Sequence, residues 1–164
     1  MRPPPNQPPA SPPHVAVVLV EDHAEVREQL VAMMRDAGIE VLAAVDGITR
    51  GFAAVVEKAP DVVVLDNQLP DGTGTDLCRR LTKEVPGARV IMHVGAMTAT
   101  EERAALAAGA RAVVRKSVRP DALIHAVLQF AAPAAGPSSD ETPIAVVSQA
   151  GKTILQAANT EPGP

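Results

Sequence analysis

The chain has 164 residues, 46% hydrophobic and 21% charged, with a formal net charge of −4 at pH 7. That length suits one domain with a buried core, and a weakly acidic chain without a basic run is a poor nucleic-acid binder. Tryptophan and tyrosine are absent, which excludes aromatic base-stacking platforms, and the single cysteine, Cys78, excludes an intramolecular disulfide or a multi-cysteine metal site.

Residues 1–13 contain seven prolines and read as a disordered leader, since proline suits neither helix nor strand interiors. It lacks the apolar stretch of a signal peptide. From Val15 the chain alternates between two patterns. Val15–Val20, Val62–Leu65 and Val90–Met92 are continuous apolar runs rich in β-branched residues, and Ile39–Val45 and Ala112–Val114 are shorter or more mixed. Unbroken apolar runs fit strands covered on both faces, as in a parallel sheet. Between them lie helical spacings. Val26, Leu30, Met33 and Met34 form an apolar stripe, with Gly38 placed to end that helix. Further helices are expected over 48–58, 74–84, 100–108 and 120–131, the fourth opening at Thr100 and stopping at Gly109, the fifth opening at Pro120. From Pro133 the composition is that of a linker. Within 133–164 only one short apolar run and a weak helical stretch at Ile154–Ala158 stand out, too little for a second core. No apolar run approaches the ~20 residues of a membrane span. The expected organisation is a domain over 14–132 between a leader and a flexible tail, with a cytoplasmic location.

Five β-α repeats joined by right-handed crossovers make an open, doubly wound five-stranded parallel α/β sheet. Ligands of such sheets sit beyond the carboxyl ends of the strands. Glu21 and Asp22 follow the first strand, Asp66 the third, and Lys116 the fifth, after Arg115. Three carboxylates in one place repel unless a cation joins them, and an all-oxygen set of this kind suits Mg²⁺. A lysine supplies a point charge for a phosphoryl group. The set is what phosphorylation of a carboxylate requires: an aspartate nucleophile, a metal on the transferring oxygens and a cation on the product. Taken singly, each residue has a plainer explanation; Asp22, for one, could cap the first helix.

The segments VLVEDH (18–23), VVVLDNQLPDGTG (62–74) and AAGARAVVRKS (107–117) resemble the receiver domain of two-component response regulators, over about residues 14–131. The resemblance implies the flavodoxin-like receiver fold. It implies that Asp66 accepts a phosphoryl group from a histidine kinase or phosphotransfer protein. It also implies Mg²⁺ on Glu21, Asp22, Asp66 and the backbone carbonyl of Gln68, and Lys116 on the phosphoryl group. Pro70, Gly72 and Gly74 match the loop after the acceptor. Output would go to a protein partner through the face of the fourth helix, fifth strand and fifth helix, which here carries Glu101, Arg103, Arg111 and Arg119. The role is that of a signalling phosphoacceptor rather than an enzyme.

Two positions depart from the family pattern. The usual Ser or Thr at the end of the fourth strand is Val94, which has no donor. The usual Tyr or Phe of the fifth strand is Val113. A slip of register would bring Thr98 or Thr100 to the site, but the counts from Arg89 and from Gly109 agree on Val94. These departures motivate a second reading, an atypical receiver whose output is independent of phosphorylation. A third reading is the remnant of a DNA-binding regulator, disfavoured because Lys152 is the lone cation of the tail. His93 reads as a packed side chain with one hydrogen bond rather than a phosphate neighbour. His23 reads as solvent-facing near the site, and Cys78 as a small buried apolar residue. Rival enzyme motifs fail. A haloacid-dehalogenase phosphatase needs a carboxylate where Gln68 stands, a flavodoxin-like cofactor loop conflicts with the acidic residues after the first strand, and the AGKT at 150–153 has Val146 where a P-loop needs glycine.

Overall fold

The computed structural model describes residues 14–132 and the backbone of residues 145–147 and 153–155. Strands β1 (Ala16–Val20), β2 (Glu40–Val45), β3 (Val62–Leu65), β4 (Val90–Val94) and β5 (Ala112–Arg115) alternate with helices α1 (Ala24–Asp36), α2 (Ile48–Lys58), α3 (Gly74–Glu84), α4 (Ala99–Ala107) and α5 (Pro120–Ala131). The five strands are parallel in the order β2-β1-β3-β4-β5. This is the doubly wound sheet expected from the five β-α repeats.

Period-two alternation divides the apolar runs between two cores. Val17, Leu19, Val62, Val64, Ile91 and Val114 face α1 and α5, packing on Leu30, Met34, Leu123 and Val127. Val18, Val20, Val63, Leu65, Met92 and Val113 face the other way, onto Val55, Leu77, Leu81 and Ala105. Burial on both faces explains why the strands read as unbroken apolar runs. The chain passes from β2 on one side of β1 to β3 on the other, so the carboxyl ends of β1 and β3 flank the crevice where such sheets bind ligands.

Local details differ from the sequence reading. β4 continues two residues beyond Met92, because His93 and Val94 pair with Val114 and Arg115. α4 opens at Ala99 rather than Thr100. Thr98 caps it: its hydroxyl accepts the Glu101 N–H at 3.2 Å, and the Glu101 carboxylate accepts the Thr98 N–H at 2.7 Å. α1 has His23, not Asp22, at its N-cap, with no side-chain capping bond. The carboxylate of Asp22 is therefore not consumed in starting the helix.

The sheet extends past the five expected strands. Ala145–Val147 (β6) lies parallel to β5, and Thr153–Leu155 (β7) runs antiparallel to β6. The weak helical stretch at Ile154–Ala158 thus begins as strand. An open strand edge presents unpaired backbone groups that a short β-branched segment can satisfy. Residues 1–13 and the rest of 133–164 lie outside the described residues. Among the described residues, no helix is long and apolar enough to cross a membrane.

Gly109 follows the C-cap of α4 at φ +108°, and a Cβ there would stand 2.3 Å from Thr82 Oγ1. Both strain and overlap fall on one position. Gly109→Ala is expected to lower unfolding free energy in urea by about 1–3 kcal/mol, and an unchanged midpoint would show that α3 and the α4–β5 turn yield freely.

Candidate functional site

The carboxyl ends of β1, β3 and β5 bring Glu21, Asp66 and Lys116 into contact. Glu21 is 1% exposed and Asp66 5%. Between them, Lys116 Nζ stands 2.8 Å from Glu21 Oε2 and 3.0 Å from Asp66 Oδ2. Backbone bonds lock this arrangement to the sheet. The Glu21 N–H donates to the Val45 carbonyl, the Asp66 N–H to the Val20 carbonyl, and the Lys116 N–H to the Val94 carbonyl, at 2.7–2.9 Å. Burial pulls the Lys116 ammonium down, but the facing carboxylates of Glu21 and Asp66 outweigh it and hold its pKa above the ordinary lysine value.

Asp66 is held at its other oxygen as well. Oδ1 accepts the N–H of Asn67 at 2.7 Å and, more weakly, that of Gln68 at 3.4 Å. The loop that supplies these donors folds back as a two-residue hairpin, Gln68–Leu69 against Gly72–Thr73. Sequence reasoning missed this hairpin, although Pro70 and Gly72 are its turn chemistry. Gly74 seats the start of α3 against Asp66. Its N–H donates to the Asn67 carbonyl at 2.9 Å, and a Cβ at Gly74 would lie 2.0 Å from the Asp66 carbonyl oxygen. Only a residue without a side chain fits there.

Three further residues order the site without having stood out in the sequence. Asp71 accepts the N–H groups of Ile48 and Thr49 at 2.8 and 3.0 Å, tying the loop after Asp66 to the N-terminus of α2. Those two bonds hold its carboxyl below the usual aspartate value. Asn67 Oδ1 accepts from the Thr75 N–H and hydroxyl at 3.0 and 2.9 Å. From α1, Arg27 donates to the carbonyls of Glu21 at 2.8 Å and Asp22 at 3.3 Å, bracing the turn that carries both acids.

Glu21, Asp22, His23 and Asp66 each offer one donor atom, all within 4.8 Å of one another. The oxygens Glu21 Oε2 and Asp22 Oδ1 are buried and accept no hydrogen bond; Lys116 approaches the first as an ion pair out of hydrogen-bond alignment. Glu21 Oε2 thus has the ammonium beside it, and Asp22 Oδ1 is the oxygen left without an aligned donor, which is costly for a buried carboxylate unless a cation completes it. This donor set fits a small divalent cation, with Mg²⁺ the ion suited to one or two carboxylates plus water and phosphate oxygens.

The two departures from the family pattern have definite places. Val94 is the last ladder residue of β4, paired with Arg115, and Val113 is paired with Met92. Both are 1% exposed and pack on the α2–α4 side of the sheet. Thr98 and Thr100 are exposed on α4, bonded to Glu101 and Arg103, so neither reaches the site. Arg115 turns from the site toward α4, where it pairs with Glu102 and donates to the Met97 carbonyl at 3.1 Å.

His93 is packed as expected, but its Nδ1 is buried without a partner instead of making the expected bond. It lines a cavity of about 490 Å³ between α1 and α5, together with Met33, Lys116 and Leu123. Burial, reinforced by Lys116 and opposed by Asp66, lowers its pKa from 6.5 to about 4. The folded imidazole is thus neutral where the unfolded one takes a proton. The stability this represents is fully present above pH 6.5 and is lost as pH falls toward 4. Between pH 7 and pH 5, His93 alone is expected to cost about 2 kcal/mol of unfolding free energy. Urea titrations at the two pH values should show that loss shrinking in His93→Leu, and an equal loss in both proteins would refute the assignment.

The response regulator receiver domain family matches residues 17–128. Among curated proteins, the DNA-binding transcriptional activator DevR/DosR of Mycobacterium tuberculosis is 35% identical over 114 residues, covering 69% of this chain and 52% of that protein. The phosphate regulon regulatory protein PhoB of Pseudomonas aeruginosa is 30% identical over 135 residues, covering 79% of this chain and 57% of PhoB. The chain therefore spans about half the length of these curated relatives. Among solved structures, a LuxR-family two-component response regulator from an Aurantimonas species superposes with a TM-score of 0.69 at 28% identity, covering 72% of this chain and 85% of that one. A response regulator receiver domain protein from Methanospirillum hungatei superposes at 0.67 with 25% identity, covering 72% and 94%.

Proposed function

This chain belongs to the response regulator receiver domain family, and we propose that within it Asp66 accepts a phosphoryl group from a histidine kinase or phosphotransfer protein and passes the signal on by protein contact. The observation that carries this reading is the Lys116 ammonium set 3.0 Å from Asp66 Oδ2, beside a buried Glu21 and an aspartate left free of helix capping. In the transfer, an Asp66 carboxylate oxygen attacks phosphorus, an O–P bond forms, and the bond from phosphorus to the donor imidazole breaks. Asn67 and Gln68 steady Asp66 Oδ1 through their N–H groups, which leaves Oδ2 on the Lys116 side.

Charge accounts for the rest of the constellation. Three carboxylates against one ammonium leave the site negative, and the transfer adds further negative charge. Glu21, Asp22, Asp66 and the carbonyl of Gln68 would hold Mg²⁺, which supplies neutralisation of the phosphoryl oxygens when bound. Lys116 offsets one of those oxygens as a point charge.

Val94 offers the acyl phosphate no hydroxyl, and Val113 offers no aromatic ring for such a hydroxyl to move. A hydrogen bond to a charged group is worth about 1.5–3 kcal/mol. Its absence weakens the bias between receiver states by one to two orders of magnitude. The output surface in this reading is the α4–β5–α5 face, where Glu101, Arg103 and Arg119 are exposed. The setting is the cytoplasm, where histidine kinases present their phosphohistidine.

Incubation with a small-molecule phosphodonor, followed by intact mass measurement, tests the acceptor. Addition of one phosphoryl group is expected with Mg²⁺ and not with chelator, and Asp66→Asn should abolish it. A gain that persists in Asp66→Asn would overturn the assignment. In the same assay, Val94→Thr is expected to lengthen the life of the phosphorylated state or raise its yield about tenfold. An unchanged lifetime and yield would show that the missing hydroxyl is immaterial.

A further inference from the structure

His23 is unusual among the four residues that converge on the acidic site, because it brings nitrogen to a set otherwise made of carboxylates. It occupies the N-cap of α1, yet its side chain makes no capping bond. Instead Nδ1 lies 2.9 Å from Asp22 Oδ1 and hydrogen-bonds Glu21 Oε1 at 3.3 Å, a bond that an ion held by the same atoms would replace. The contact with Asp22 lacks hydrogen-bond alignment, since Asp22 Oδ1 has no partner. The backbone fixes this placement at both ends: the His23 N–H donates to Glu21 Oε1 at 3.3 Å, and the His23 carbonyl accepts the Arg27 N–H at 2.9 Å. The imidazole is 68% exposed, so it can settle on an ion entering from solvent without displacing core.

We propose that His23 Nδ1 is a direct ligand of the divalent cation at this site, and that it biases the site toward first-row transition ions over Mg²⁺. The inference rests on the metal reading above and deepens it by naming a ligand and an ion preference. The physical basis is ligand softness. Mg²⁺ favours oxygen donors and sheds water reluctantly. Imidazole suits the later first-row ions, whose affinities rise along the series through Co²⁺ and Ni²⁺. Four donor atoms within 4.8 Å of one another can serve one ion, with the nitrogen supplying the discrimination that carboxylates alone lack.

Calorimetric titration of the full chain with Co²⁺ and separately with Mg²⁺ tests this, alongside the visible absorption of bound Co²⁺, which responds to replacing nitrogen by oxygen in its shell. His23→Gln is expected to weaken Co²⁺ binding about tenfold, to shift the Co²⁺ absorption and to weaken Mg²⁺ binding far less. Asp22→Asn should weaken both ions. Equal weakening of both ions in His23→Gln would mean that the imidazole only orients the acids, and no change in either would mean that it is a bystander. Both results overturn the proposal, as does Co²⁺ binding that survives Asp22→Asn unaltered, which would place the ion on another histidine. Failure of the unaltered chain to bind either ion would instead strike the metal reading itself.

Discussion

One ammonium group stands between two buried carboxylates, and much of the molecule serves to keep it there. Lys116 is drawn to Glu21 and Asp66 at 2.8 and 3.0 Å, in surroundings where an unpaired charge would be costly. The three residues belong to three different strands, so their meeting depends on sheet order and register. β1 and β3 are neighbours, β4 separates β3 from β5, and Lys116 crosses over β4 to reach its partners. The bond from its N–H to the Val94 carbonyl fixes how far it can reach. The absence of a side chain at Gly74 and the Arg27 guanidinium set the positions of the acids from opposite sides. Changes in any of these would act on the site through geometry rather than charge.

The join between the site and its surroundings has an unusual composition. Valine at positions 94 and 113 makes the end of β4 and the middle of β5 wholly apolar on the α2–α4 side. Besides this apolar packing, a polar link one residue from Lys116 joins β5 to α4: Arg115 spans to Glu102 and to the Met97 carbonyl. Strand, helix and the loop between β4 and α4 are thus gathered by a single guanidinium, immediately beside the lysine that faces Asp66.

The fold was legible because burial on both faces leaves a plain mark. Val15–Val20 and Val62–Leu65 could hardly be anything but central strands, and the placement of Glu21, Asp66 and Lys116 just beyond strands followed from it. Asp22 was legible only as one of two things, and the α1 N-terminus removes the capping role by putting His23 at the cap. Other features depend on contacts distant in sequence, which local patterns do not encode. Asp71 caps a helix that starts 23 residues earlier. Arg27 reaches back to two carbonyls, and the final turn of β4 into His93 and Val94 is defined by pairing with β5. β6 and β7 were missed for a related reason: a three-residue run is too short to declare itself without a neighbouring strand edge.

The tie between Asp71 and the start of α2 has an observational consequence. The Ile48 and Thr49 amides are held by a carboxylate in the loop that follows Asp66, not by their own helix. Their hydrogen exchange with solvent therefore reports the opening of that loop. Two backbone protons in a different helix serve as a clock for the motion of the loop.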